Sequence, residues 1–182
     1  MNEKIKKTIN PNIQDYIIQG FGGQDAEKVV DEAYKEAYGD ITIESLDRFF
    51  KIQDEQIAGS TRYELALQEI INGHKCGHWI WYIFPQLKGL GRSFNSYYYG
   101  LDINEVDDYV DNEVLYSRLI EITNALLEND KPIEDIVGPI DALKVKSCMT
   151  LFYLKTDNEL FKKILDKFYD GKYCEFTKEA LK

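Results

Sequence analysis

Between Ile71 and Leu101 the sequence has no Asp or Glu, although 32 of its 182 residues are acidic. Other scarcities run along the whole chain. The three cysteines, Cys76, Cys148 and Cys174, are odd in number, far apart and without a C-x-x-C pair. That excludes a disulfide framework and points to the reduced thiols of a cytoplasm. No apolar run reaches the roughly 18 residues of a membrane span, and no apolar stretch of a secretory signal follows the lysine-rich start MNEKIKKTINP. The expectation is therefore a soluble, cytoplasmic protein with no membrane partner. Positive charge is also short: 22 Lys and Arg against 32 Asp and Glu give a formal net charge of −10. A role in coating nucleic acid is thereby excluded, because non-specific affinity comes from neutralising phosphates with Lys and Arg.

Metal chemistry is equally poorly supplied. The only two histidines, His74 and His78, are four apart, a spacing that on a helix would place both on one face. Gly73 and Gly77 interrupt such a helix and no carboxylate in the segment completes a ligand set, so neither a metal nor a cofactor is expected.

What is present reads as helix. Residues 1–44 form an N-terminal extension punctuated by Asn10-Pro11 and Gly20 to Gly23. Within it only Asp25 to Tyr38 reads as a helix, with Val29, Val30, Ala33, Tyr34 and Ala37 on one stripe. From residue 45 to 182 the pattern is consistently helical. Leu46, Phe49, Phe50 and Ile57 line a first face, ended by Gly59-Ser60. Thr61-Arg-Tyr-Glu64 is a capping-box pattern opening a second helix with Tyr63, Ala66, Leu67, Ile70 and Ile71 on its apolar side, stopped by Gly73. Further stripes are Leu115, Leu119, Ile122 and Leu126; Val145, Cys148, Met149 and Phe152; and Leu160, Phe161, Ile164, Leu165 and Phe168. Alternating strand patterns are scarce, and the reading is a single compact all-α, multihelical domain behind an extension.

The acid-free segment is the candidate site, because both histidines and both tryptophans fall in it amid cations and glycines. Lys75, Lys88 and Arg92 meet no acid in their own segment, so they either hold a phosphate or carboxylate or pair with carboxylates folded back from elsewhere. His78 is the candidate general acid or base, against the alternative of a core histidine satisfied by backbone carbonyls. Trp79, Trp81, Tyr82 and Phe84 cannot all face a ligand, so most build core; one indole, taken as Trp79, would stack on a planar group at a pocket edge. Gln86 would read an amide. Gly89, Gly91, Arg92 and Ser93 resemble an anion loop, though a turn followed by a helix cap explains the same residues. Asp141, Lys144 and Ser147 form a polar row beside the Val145 stripe, either a solvated face or the opposite wall of the same pocket. Cys76 reads as an inert thiol.

These blocks, SLDRFFKIQ, YELALQEI, GHWIWYIFPQLKGLGRS, DALKVKSCMTLF and LDKFYDGK, closely resemble in order the bacterial domain of unknown function 1810, whose members sometimes carry a calpastatin-like label. The likeness spans roughly residues 45–180 and implies a compact multihelical fold. It implies no settled activity. Two positions depart from the family pattern: Cys174 stands where the G-[KR]-x-D-x-x-T arrangement has its acid, and His74 where a basic residue is usual. The function expected is binding, with possible processing, of a small anionic ligand such as a nucleotide or nucleotide derivative. The competing expectation is a non-catalytic protein–protein interaction module whose aromatic segment is purely structural.

Overall fold

The computed structural model describes residues 45–182 other than Arg92, together with Glu32 and Lys35. The extension and its Asp25 to Tyr38 helix, those two residues apart, lie outside the described residues. Between residues 45 and 182 run ten helices and one short hairpin: α1 (Asp47–Gln53), β1 (Gln56–Ile57), β2 (Ser60–Thr61), α2 (Arg62–Ile71), α3 (Ile80–Ile83), α4 (Phe94–Tyr98), α5 (Ile103–Asp111), α6 (Glu113–Leu127), α7 (Ile133–Val137), α8 (Pro139–Thr156), α9 (Glu159–Tyr169) and α10 (Glu175–Ala180). The domain is all-α apart from that hairpin. None of the described helices is long and apolar enough to cross a membrane.

The first helix is shorter than its apolar pattern predicts. It stops at Gln53, and Ile57 lies in the hairpin, half-exposed, with Ala58 and Gly59 both at positive φ in the turn. Two consecutive left-handed residues make the tight reversal that a two-residue loop needs, and this ends the helix earlier than Gly59-Ser60 alone suggests. The capping box that opens α2 is as read: Glu64 N–H donates to Thr61 Oγ1 at 3.1 Å and Thr61 N–H to the Glu64 carboxylate at 2.7 Å. Gly73, at φ +65°, ends the turn after α2 where an added Cβ would stand 2.6 Å from the Asn129 side chain.

Helix α8 is the centre of the molecule, packed against α3, α5, α7, α9 and α10. Gly138 at φ +85° and Pro139 in the first helical position start it where the chain leaves α7. From Ser147 to Phe152 every residue is buried, so its middle is enclosed on all sides, while its first turns and its last residues reach solvent. Those first turns carry Ile140, Asp141, Leu143 and Lys144. The chain from Gln86 to Lys88 is pinned by strand-like pairing with Leu101: Leu101 N–H donates to Gln86 O at 2.8 Å and Lys88 N–H to Leu101 O at 2.9 Å. Gly100 makes this approach possible, since a Cβ there would lie 2.7 Å from Lys88 Cα.

Candidate ligand cleft

The exposed start of α8, the Trp81 side of α3, the Gln86 to Ser96 stretch and the turn into α10 surround an open cleft of about 820 Å³. Trp81, Gln86, Gly91, Ser93, Lys144 and Ser147 all line it, together with Leu90, Ile140, Leu143, Lys146, Tyr173, Cys174, Glu175 and Phe176. Segments some 60 residues apart in sequence thus meet at one place. Of the polar row on α8, Lys144 and the buried Ser147 line the wall opposite, whereas Asp141 does not reach the cleft.

A chain of charges and rings runs across one end of this cleft. Lys75 Nζ lies 2.9 Å from one oxygen of Asp141, and Lys144 Nζ donates to the other at 2.7 Å. Each ammonium also sits over an indole: Lys75 at 5.2 Å from the centroid of Trp79, Lys144 at 4.4 Å from that of Trp81. Burial pushes the Asp141 carboxyl up, but the Lys144 and Lys75 ammonium groups outweigh it and hold the group below its ordinary value. One carboxylate shared between two lysines leaves a surplus of one positive charge here, and of these three residues Lys144 is the one that faces the cleft.

Opposite, Ser147 Oγ donates to Leu143 O at 3.1 Å and lies 3.2 Å from Cys174 Sγ. Cys174 N–H donates to Thr150 Oγ1 at 2.9 Å, which ties the turn before α10 to the middle of α8. The position where the family pattern places an acid is therefore in the cleft wall, and in this chain it presents a half-exposed thiol. Ser93 caps α4: its Oγ accepts from Ser96 N–H at 3.1 Å, and Ser96 Oγ accepts from Ser93 N–H at 3.0 Å.

Several expectations from the sequence are corrected. His78 is exposed and does not line the cleft, so it is neither the acid–base group of this site nor a core histidine. Trp79 is buried, and the indole at the cleft is Trp81. Lys75 is committed to Asp141 and Lys88, buried, to Asp102 at 2.6 Å, so both pair with carboxylates from beyond the segment. Gly89 is a buried turn residue at φ +92° outside the cleft lining, so the GLG stretch contributes Gly91 but no continuous anion loop. Arg92 lies outside the described residues. Lys146, Cys174, Ile140 and Leu143 went unassigned in the sequence. Only the departure at Cys174 signalled any of them.

The acid-free segment is organised by an acid just before it. Glu69, in the last turns of α2, accepts N–H bonds from Cys76 at 2.7 Å, Gly77 at 2.9 Å and the Trp79 indole at 2.7 Å. Burial raises its carboxyl, but these donors and Lys75 more than reverse the effect, so it stays ionised below the usual range. This holds the Gly73 to Trp79 turn, and with it Lys75, against α8.

Fold and cleft together define a compact helical domain with a mixed apolar and cationic pocket built on a central helix. The family model described as "Protein of unknown function (DUF1810)" matches residues 43–181, and the chain belongs to that family. It is similar to a crystal structure of the conserved hypothetical protein Rv1873 from Mycobacterium tuberculosis, with 38% identity, 72% of this chain and 92% of that chain covered, and a TM-score of 0.67. No curated protein matches the chain.

Proposed function

We propose that this is a cytoplasmic bacterial protein that binds a small anionic ligand carrying a planar group, such as a nucleotide or nucleotide derivative, in the cleft beside Trp81. One observation carries the reading: Trp81, Gln86, Ser93, Lys144 and Ser147 line one cleft, with the Lys144 ammonium beside the half-buried indole. The volume lies within the range of roughly 300–1,000 Å³ typical of ligand pockets, whose walls are mainly apolar with a few placed polar groups. Lys144 supplies the charge for an anion, Trp81 the face for a ring, and Gln86 an amide for its edge. With His78 outside the cleft, the reading is of binding rather than of a reaction.

A thermal-shift screen of AMP, ADP and sugar phosphates tests it. A ligand at 100 times its dissociation constant is expected to stabilise the protein by about 2.7 kcal/mol. Lys144→Ala is expected to weaken that ligand more than tenfold, since a charge-assisted hydrogen bond is worth about 1.5–3 kcal/mol. The unliganded melting temperature should fall only a little, because Asp141 keeps the Lys75 ammonium at 2.9 Å as its partner. Unshifted melting with every compound, or equal affinity in the variant, would rule the reading out. The competing interaction-module reading draws on the apolar residues at the rim of the same cleft.

A further inference from the structure

Ile140 and Leu143 are the two most exposed large aliphatic side chains among the described residues, 72% and 66% accessible, and both line the cleft. They stand one turn apart on α8, directly before Lys144. None of the other large exposed apolar residues, Ile57, Leu65, Ile71, Phe94, Val114 and Leu154, lines the cleft. Leu90, Tyr173 and Phe176 add further apolar wall. At the Trp81 end, by contrast, Lys144 sits over the ring, while Lys146 lies over Tyr169. A bare nucleotide would satisfy that end and leave the aliphatic rim in water.

Resting on the reading of the cleft as a ligand site, we infer that its ligand is an amphipathic anion: a charged head at Lys144 and Trp81, joined to an apolar chain or fused ring that covers Ile140 and Leu143. Charge and shape agree on this occupant. The surplus positive charge on the Lys75–Asp141–Lys144 group calls for an anion, in a protein whose overall charge is −10. The rim continues from that group without a break in the helix, so one molecule reaches both. Covering about 60 Å² of apolar surface is worth about tenfold in affinity, so the aliphatic contact is large enough to select among anions.

Two probes separate this inference from the nucleotide reading. AMP has a ring and an anion without an apolar tail; 8-anilinonaphthalene-1-sulfonate has an anion on a fused apolar ring system. The full chain is expected to bind one equivalent of the sulfonate, detected by fluorescence titration. The double variant Ile140→Ser/Leu143→Ser is expected to weaken it tenfold or more with an unchanged melting temperature, as both side chains are exposed. Lys144→Ala is expected to weaken it too. Sulfonate binding that is absent, or equal in the double variant, overturns the inference. So does sedimentation showing the wild type self-associated and the double variant monomeric, since the rim would then cover a second copy. Binding of AMP without the sulfonate leaves the nucleotide reading standing and removes this one; the reverse result does the opposite.

Discussion

Arg48→Met is expected to destabilise the domain by about 3–5 kcal/mol, the usual cost of removing one partner from a buried ion pair. The Arg48 side chain is fully buried. Its guanidinium donates to both oxygens of Glu105, at 2.7 and 2.8 Å, to Gly100 O at 3.0 Å, and to Ser45 O. One side chain thus binds α1 to the start of α5 and to the Gly100 loop that packs against Lys88. Methionine fills a similar volume but leaves the Glu105 carboxylate with the Asp102 N–H at 3.1 Å in place of its charged partner, and takes a donor from the Ser45 and Gly100 carbonyls. The melting temperature should fall on the order of 10 °C. The double variant Arg48→Met/Glu105→Leu should recover most of the loss, since no charge is then stranded. A single variant melting within a degree or two of wild type would mean that the pair carries no stability.

Acid supplies a second check on the same pair. Burial raises the Glu105 carboxyl, but the Arg48 hydrogen bonds and charge bring it below its ordinary 4.5. A carboxyl lowered in the folded state stabilises fully above the unfolded value, and that contribution is lost as pH falls through the lowered folded value. Without Arg48 only the Asp102 N–H and Lys88 remain to oppose burial, so the carboxyl rises and its protonated form is better tolerated than in wild type. The deficit of Arg48→Met relative to wild type should therefore shrink on acidification below pH 4.5. A deficit independent of pH would place the lost energy in packing instead.

The helical periodicity made the fold legible because each apolar stripe faces one core. Thr61 with Glu64, Gly73 and Gly138-Pro139 mark their boundaries by local chemistry that needs no partner. The cleft was legible only in part. Gln86, Ser93, Lys144 and Ser147 are drawn together as the polar row and the segment suggested, yet the choice between Trp79 and Trp81 turned on which side of a four-residue helix meets α8. A helix that short has no periodicity to read. The sequence left open whether carboxylates fold back onto the acid-free window, and for Lys75 and Lys88 they do. Glu69, Asp102 and Asp141 stand outside the window and supply its carboxylates in space, to the Gly77 turn, to Lys88 and to Lys75 respectively. Distance along a sequence says nothing about a side chain that folds back.

Glu69→Gln tests that organisation most directly. The carboxylate is an acceptor on both oxygens, and it meets three separate N–H donors from Cys76, Gly77 and Trp79. Glutamine keeps one oxygen and replaces the other with an NH₂ that accepts nothing. All three N–H groups reach the same carboxylate oxygen, so a glutamine oxygen placed there still accepts from them, and what is lost is the 3.2 Å contact of Gly77 N–H with the second oxygen and the charge that strengthened all three bonds. A loss of about 1.5–3 kcal/mol in unfolding free energy is expected, in keeping with hydrogen bonds to charged groups. The two indoles give the site of the effect. The Trp79 N–H resonance should shift and exchange faster with solvent, whereas that of Trp81, which makes no bond to Glu69, should stay in place. Because the same turn presents Lys75 to Asp141, loosening it should also free part of the Asp141 carboxylate to bind Lys144 more fully, and anion affinity in the cleft should drop without any change in a lining residue. Unchanged stability with an unmoved Trp79 resonance would show that the turn is held by its backbone alone, and would break the proposed connection between Glu69 and the cleft.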